Sequence, residues 1–105
     1  MFVRVPCYKK NIMSNQINDP NTTFVDVRSA WEYDEEHIEN ALNIPLEELN
    51  GNIEKLKSLK GSIVFYCRSG NRSGVGVILA KNAGLTNVIN GGSLYELSKQ
   101  ITSHV

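Results

Sequence analysis

Cysteine and histidine are both scarce in this chain: its 105 residues include only Cys7, Cys67, His37 and His104. Two thiols 60 positions apart are not a disulfide framework, and no C-x-x-C or H-x-x-x-H spacing exists, so no metal site is expected. No run of 18 apolar residues occurs, which excludes a membrane-spanning helix. The opening MFVRVPCYKK lacks an apolar stretch ahead of a cleavage site, so no signal peptide is expected and the cytoplasm is the expected compartment. Basic residues are few and are not interleaved with aromatics; neither nucleic acid nor a membrane is an expected partner. Disorder is also a poor fit. Apolar content of 41% and charged content of 21% are ordinary globular values, and the length suits one domain over residues 1–105 with a modest core.

Acids are missing between Glu54 and Glu96, where Lys55, Lys57, Lys60, Arg68, Arg72 and Lys81 stand. From Asp26 to Glu54 the balance reverses, with nine acids against Arg28 alone. Two solvated helix faces of opposite sign account for such runs. The other reading is that the segment around Cys67 favours anions.

What is present alternates between strand and helix. FVRV at 2–5 reads as a short strand stopped by Pro6, and 9–17 as a weak helix ending in the turn cluster NDPNT. TFVDV at 23–27 is a β-branched and aromatic strand. SAWE at 29–32 then forms a capping box, with Ser29 as N-cap and Glu32 reaching back. A short strand is expected at 41–44, followed by two short helices divided near Gly51. SIVFY at 62–66 is apolar throughout, as suits a central strand covered on both faces. The helix after it, opened by Ser73 and stopped by Gly84, is expected to bury Val75, Ile78, Leu79 and Ala83. A strand at 87–90 and a final helix carrying Tyr95, Leu97 and Ile101 complete the order. This pattern predicts an α/β fold of three layers, a mainly parallel sheet of about five strands with helices on both faces.

Ligands in such folds bind beyond the carboxyl ends of strands, and Cys67 stands at one of them. It opens the loop CRSGNRS, in which Gly70 and small neighbours let several amides converge, an anion pocket in outline. Amides and cations there stabilise a thiolate, with Arg68 and Arg72 directed at the sulfur or at solvent. A thiolate so held can take the outer sulfur of a donor, becoming a persulfide, and pass it to a second nucleophile. That chemistry calls for no cofactor and no acid–base dyad. The plainer alternative is an inert core thiol, because free cysteine is commonly buried for packing alone.

The motifs together resemble a known family. DVR at 26–28, WEY at 31–33, HI at 37–38, NIP at 43–45, CRSGNRS at 67–73 and Gly91-Gly92 come in the order of a single-domain rhodanese-like sulfurtransferase, over about residues 23–97. The resemblance implies a rhodanese-like fold and a persulfide on Cys67, cradled by Arg68, Ser69, Gly70, Asn71, Arg72 and Ser73 chiefly through their backbone. Arg72 is the expected side-chain contributor. It implies a small sulfur-containing anion such as thiosulfate as donor, and a thiol, a protein or cyanide as acceptor. A carrier or interaction module docking on a partner protein is the competing class. The dual-specificity phosphatases that share the fold use a longer C-x5-R loop; here four residues separate Cys67 from Arg72, which leaves a phosphatase or arsenate reductase as the weaker enzymatic reading. Two departures stand out: Glu36 replaces a glycine before His37, and Tyr95 stands where the family tends to carry tryptophan.

Asp26 and Arg28 are expected to support a loop beside the site by ion pairing. Glu32 is read as a helix cap and possible Arg28 partner, His37 as a turn residue, and Trp31 and Tyr33 as packing anchors. Cys7 as a resolving thiol for Cys67 is the remaining idea, and nothing in the sequence places the two together.

Overall fold

The sheet is organised around one strand. In the computed structural model, which describes residues 16–102, β3 (Ile63–Cys67) is buried at every position and pairs in parallel with a neighbour on each side. On one side lies β1 (Thr23–Asp26), itself paired in parallel with β2 (Leu42–Asn43); on the other lies β4 (Val88–Ser93). The order is therefore β2-β1-β3-β4, four strands among the described residues. The expected fifth strand, FVRV, lies outside them, as do Cys7 and most of the expected first helix. The apolar run of β3 follows from its place, since a central strand has no face to give to water.

Because side chains alternate along a strand, β3 feeds two cores. Ile63, Phe65 and Cys67 join Val25, Val27, Leu49 and Leu56 on one face, while Val64 and Tyr66 join Ile38, Ala41 and Leu97 on the other. Over the first face lie a 3-10 turn (Leu46–Asn52), α2 (Ile53–Lys57) and α3 (Asn71–Asn82). The second is covered from α1 (Ala30–Glu35) by Tyr33 and from α4 (Leu94–Thr102) by Leu94, Leu97 and Ile101. Cys67, last of its strand, points to the α3 side.

At β4 the register slips: Phe65 faces Asn90, but Tyr66 faces Gly92, so Gly91 is an extra residue in a bulge. A Cβ on Gly91 would sit 2.6 Å from Val64 Cγ1 and 3.2 Å from the Phe65 carbonyl oxygen. Only glycine fits there.

Helix α3 corrects two expectations. It begins at Asn71, two positions before Ser73, and its inward face is not the apolar one. Val75 is 48% exposed and Ile78 62%, whereas Ser73, Gly76 and Ala80 are buried. The physical reason is the loop. Ser73 lies against Cys67, and helical spacing then turns Gly76, Val77 and Ala80 inward. Gly76 permits a close approach, since a Cβ there would come within 3.0 Å of Phe65. Trp31 also departs from expectation: it is 61% exposed and belongs to neither core cluster. The substitution at Glu36 costs the backbone little, because φ of −170° is extended and open to any residue.

Candidate active site

The Cys67 loop is built by a single left-handed turn. Gly70, with φ of 97°, is the N-cap of α3, and its carbonyl accepts the Gly74 amide at 3.0 Å to close the first helical turn. A side chain on Gly70 would be strained by that φ and would lie 3.3 Å from the Gly92 Cα, so the loop rests directly on the β4 backbone. The amides at a helix start have no partner within the helix. Two of them find the sulfur: the Gly70 N–H donates to Cys67 Sγ at 3.0 Å and the Ser73 N–H at 3.4 Å.

The thiol is buried with no exposed surface, yet what surrounds it is polar on the loop side. Burial pushes its pKa up. Hydrogen bonding by the Ser73 hydroxyl, 3.5 Å away, and by the Ser73, Gly70 and Ser69 amides outweighs that and holds the thiol below its ordinary value. The structure thus brings Ser69, Gly70 and Ser73 to Cys67. It does not bring Asn71, whose amide donates to Ser69 Oγ at 3.4 Å.

Arg68 is exposed and lines a cleft of about 270 Å³ together with Arg28, Glu35, Glu36, Leu94 and Tyr95. Arg72 forks onto Glu32, Nη1 to Oε1 at 2.9 Å and Nη2 to Oε2 at 3.1 Å, and the charge of Cys67 also favours its cationic form. Its charge reaches Cys67 only as half of an ion pair. Arg28, the expected partner of Glu32, feels its carboxylate only through charge; the hydrogen-bonded partner is Arg72, 40 positions away. Nothing in the sequence signals that pairing, since it depends on how α1 docks beside the loop.

Glu32 therefore does two jobs. Its Oε1 accepts from the Ser29 amide at 3.1 Å and hydroxyl at 2.8 Å, capping α1, while both oxygens bind Arg72. The Arg72 hydrogen bond, opposed by burial and helped by Ser29, lowers Glu32 from 4.5 to about 2. A depressed carboxylate pKa stabilises the fold fully above its unfolded value, and that contribution fades as pH falls through the folded value. The difference in urea midpoint between wild type and Glu32→Gln is thus expected to stay level above about pH 4.5 and to shrink as pH falls toward 2. A difference independent of pH would show that the carboxylate charge is not what joins α1 to the loop.

Asp26 and Arg28 form a buried, two-pronged pair at the end of β1. Arg28 Nη2 donates to Asp26 Oδ2 at 2.7 Å, and Nε to Oδ1 at 2.9 Å. Arg28 also donates from its amide to Asp26 Oδ1 at 2.9 Å and from Nη2 to the Glu36 carbonyl at 2.6 Å. Asn43 closes the same turn, donating to the carbonyls of Asp26 and Arg28 at 3.1 and 3.0 Å. His37 is exposed and stacks on Tyr33 with ring centroids 3.7 Å apart, remote in role from the thiol.

Asn90, on β4, is the residue that reading along the sequence passes over. Its Oδ1 accepts the Ser73 hydroxyl at 2.7 Å and the Gly92 amide at 2.9 Å, and its Nδ2 donates to the Gly70 carbonyl at 3.2 Å. Only its place beside Gly91-Gly92 hinted at the loop.

A thiol held by loop amides at the carboxyl end of a parallel strand defines the class: an α/β protein with a cysteine loop at the end of its central strand. The chain belongs to the rhodanese-like domain family, whose sequence profile matches residues 10–94. It is 34% identical over 76 residues to thiosulfate sulfurtransferase PspE of Escherichia coli (strain K12), covering 71% of this chain and 73% of that protein. A tRNA uridine(34) hydroxylase of Pectobacterium carotovorum is 33% identical over 99 residues, but this chain spans only 28% of its length. Among solved structures, a rhodanese with anions from E. coli superposes with a TM-score of 0.67 at 32% identity, covering 71% of this chain and 89% of that one. The human single domain sulfurtransferase TSTD1 gives 0.63 at 27% identity, covering 90% and 92%. Among the described residues no helix is long and apolar enough to cross a membrane.

Proposed function

We propose that this protein is a sulfurtransferase that carries sulfane sulfur on Cys67. The Cys67 thiolate attacks the outer sulfur of a small anionic donor such as thiosulfate; the donor S–S bond breaks and sulfite leaves with its electron pair. The persulfide formed on Cys67 then meets an acceptor thiolate or cyanide, which takes the outer sulfur while Cys67 leaves as thiolate. Electrons balance within the two displacements, and no cofactor takes part. The observation that supports this most is the pair of amides, Gly70 and Ser73, converging on a sulfur whose pKa lies below its ordinary value. The similarity to PspE, named as a thiosulfate sulfurtransferase, points the same way. Because the thiol has no exposed surface, reaction with a donor requires a local opening around it.

The second reading, a sulfur-carrying or docking module, is favoured by one observation. The tRNA uridine(34) hydroxylases include a comparable stretch as a minor part of a longer chain. Incubation with thiosulfate separates the two. The enzyme gains one sulfur (about 32 Da) on the Cys67 peptide, loses it to reductant, and turns over repeatedly with cyanide or a small thiol. A protein that loads once and releases sulfur to no small acceptor is a carrier. One that never gains sulfur on Cys67 is neither.

A further inference from the structure

The Ser73 hydroxyl has one proton and three acceptors around it: Asn90 Oδ1 at 2.7 Å, the Gly70 carbonyl at 3.1 Å and Cys67 Sγ at 3.5 Å. A hydroxyl donates one bond at a time, and the Asn90 contact has the length of a good O–H···O bond. We propose that Asn90 is a positioning residue that sets the reactivity of Cys67 through Ser73, by competing with the sulfur for that single hydroxyl proton. With the proton on Asn90, the sulfur keeps only the loop amides as donors, and the 3.5 Å Ser73 contact lends it no proton. With the proton turned to the sulfur, a hydroxyl donor joins those amides and the thiolate is favoured. The second half of the Asn90 side chain, Nδ2 on the Gly70 carbonyl, holds the loop in register with β4 while the hydroxyl turns.

The competition makes a prediction that simple support of the loop does not: substitutions at one position move the thiol in opposite directions. Asn90→Ala removes the competing acceptor and frees the hydroxyl for the sulfur. Asn90 is exposed, so no core cavity opens, and the Gly70 carbonyl keeps its bond from the Gly74 amide. Asn90→Asp keeps an acceptor there, binds the hydroxyl proton more strongly and adds negative charge beside the site. Position 90 apart, the charged groups around the loop are the same in every variant: Arg68 on it, the pair of Arg72 on α3 with Glu32 on α1, and the Arg28–Asp26 pair at the end of β1. A moved midpoint therefore reports the change at position 90.

The test is the pH profile of iodoacetamide alkylation, followed on the Cys67 peptide by mass spectrometry in the full chain. Relative to wild type, the midpoint is expected to fall by about half a unit in Asn90→Ala and to rise by about one unit in Asn90→Asp. In a Ser73→Ala background the Asn90→Ala shift is expected to vanish, since there is no hydroxyl left to release. Midpoints that shift the same way in both variants, that stay at the wild-type value, or that still respond to Asn90→Ala without Ser73 overturn the proposal. Thermal melts of each protein establish that the folded state is what was titrated. The proposal rests on reading Cys67 as the reactive thiol, but alkylation requires no sulfur transfer. Opposite shifts in proteins that never load sulfur from thiosulfate would leave Asn90 in its role and remove the sulfurtransferase reading alone.

Discussion

Replacing Cys67 by alanine is expected to abolish thiosulfate-dependent sulfur transfer, by about a thousand-fold or more, and to remove the added sulfur atom from the intact mass. No other thiol is placed at this loop among the described residues. Cys67→Ser is expected to be as inactive, although it preserves shape and can still accept from the Gly70 and Ser73 amides. An alcohol under those amides remains protonated at neutral pH and forms no persulfide, so the loss isolates the sulfur atom from the geometry around it. The wild-type alkylation profile should have its midpoint below that of an ordinary cysteine, in the direction set by the loop hydrogen bonds. Sulfur transfer retained by either variant would place the chemistry elsewhere, and the loop would then be an anion site without a nucleophile.

The second large effect is on stability. Asp26→Ala is expected to cost roughly 3–5 kcal/mol, read as a lowered urea midpoint, because it strands a buried guanidinium. Asp26 is fully buried and Arg28 is 6% exposed; between them they hold four of the contacts that turn the chain from β1 toward α1. Without the carboxylate, the Arg28 guanidinium keeps its bond to the Glu36 carbonyl and its place 5.9 Å from the Tyr66 ring centre, but no opposite charge in contact. Replacing both members, as in Asp26→Val with Arg28→Met, is expected to cost much less than Asp26→Ala alone, since no unpaired charge remains. Arg28→Lys should not substitute for the native pair, because an ammonium cannot span both carboxylate oxygens with fixed geometry. Equal losses in the single and double variants would mean that the pair matters for packing and not for charge.

The stability of this corner bears on the thiol. The Asp26–Arg28 turn leads into α1, α1 carries Glu32, and Glu32 grips Arg72 on the first turn of α3. The amides of that turn are the ones that hold the sulfur. A failure at Asp26 is therefore expected to reach Cys67 through Glu32 and Arg72, with the alkylation profile as its readout.

Several features were legible in the order of residues because they depend only on neighbours in the chain. An unbroken apolar stretch ahead of Cys67 had to be a covered strand, so the thiol had to emerge at a strand end. Gly70 had to turn the chain, and Ser29 with Glu32 had to start a helix. Of the five expected strands, four lie in the sheet, and the one expected at 2–5 falls outside the described residues. Periodicity misjudged α3, because the more apolar stripe of a helix packs inward only when nothing else dictates its rotation. Here Ser73 against Cys67 dictates it, leaving Val75 and Ile78 exposed.

Local chemistry thus settled which residue carries the thiol and what kind of turn surrounds it. Docking of one element on another settled which side chains meet around it: Glu32 with Arg72 across 40 positions, Asn90 with Ser73 across 17. Contacts of that kind depend on helix placement and strand register, quantities set by how side chains fill space over the whole sheet. No short window of sequence contains them.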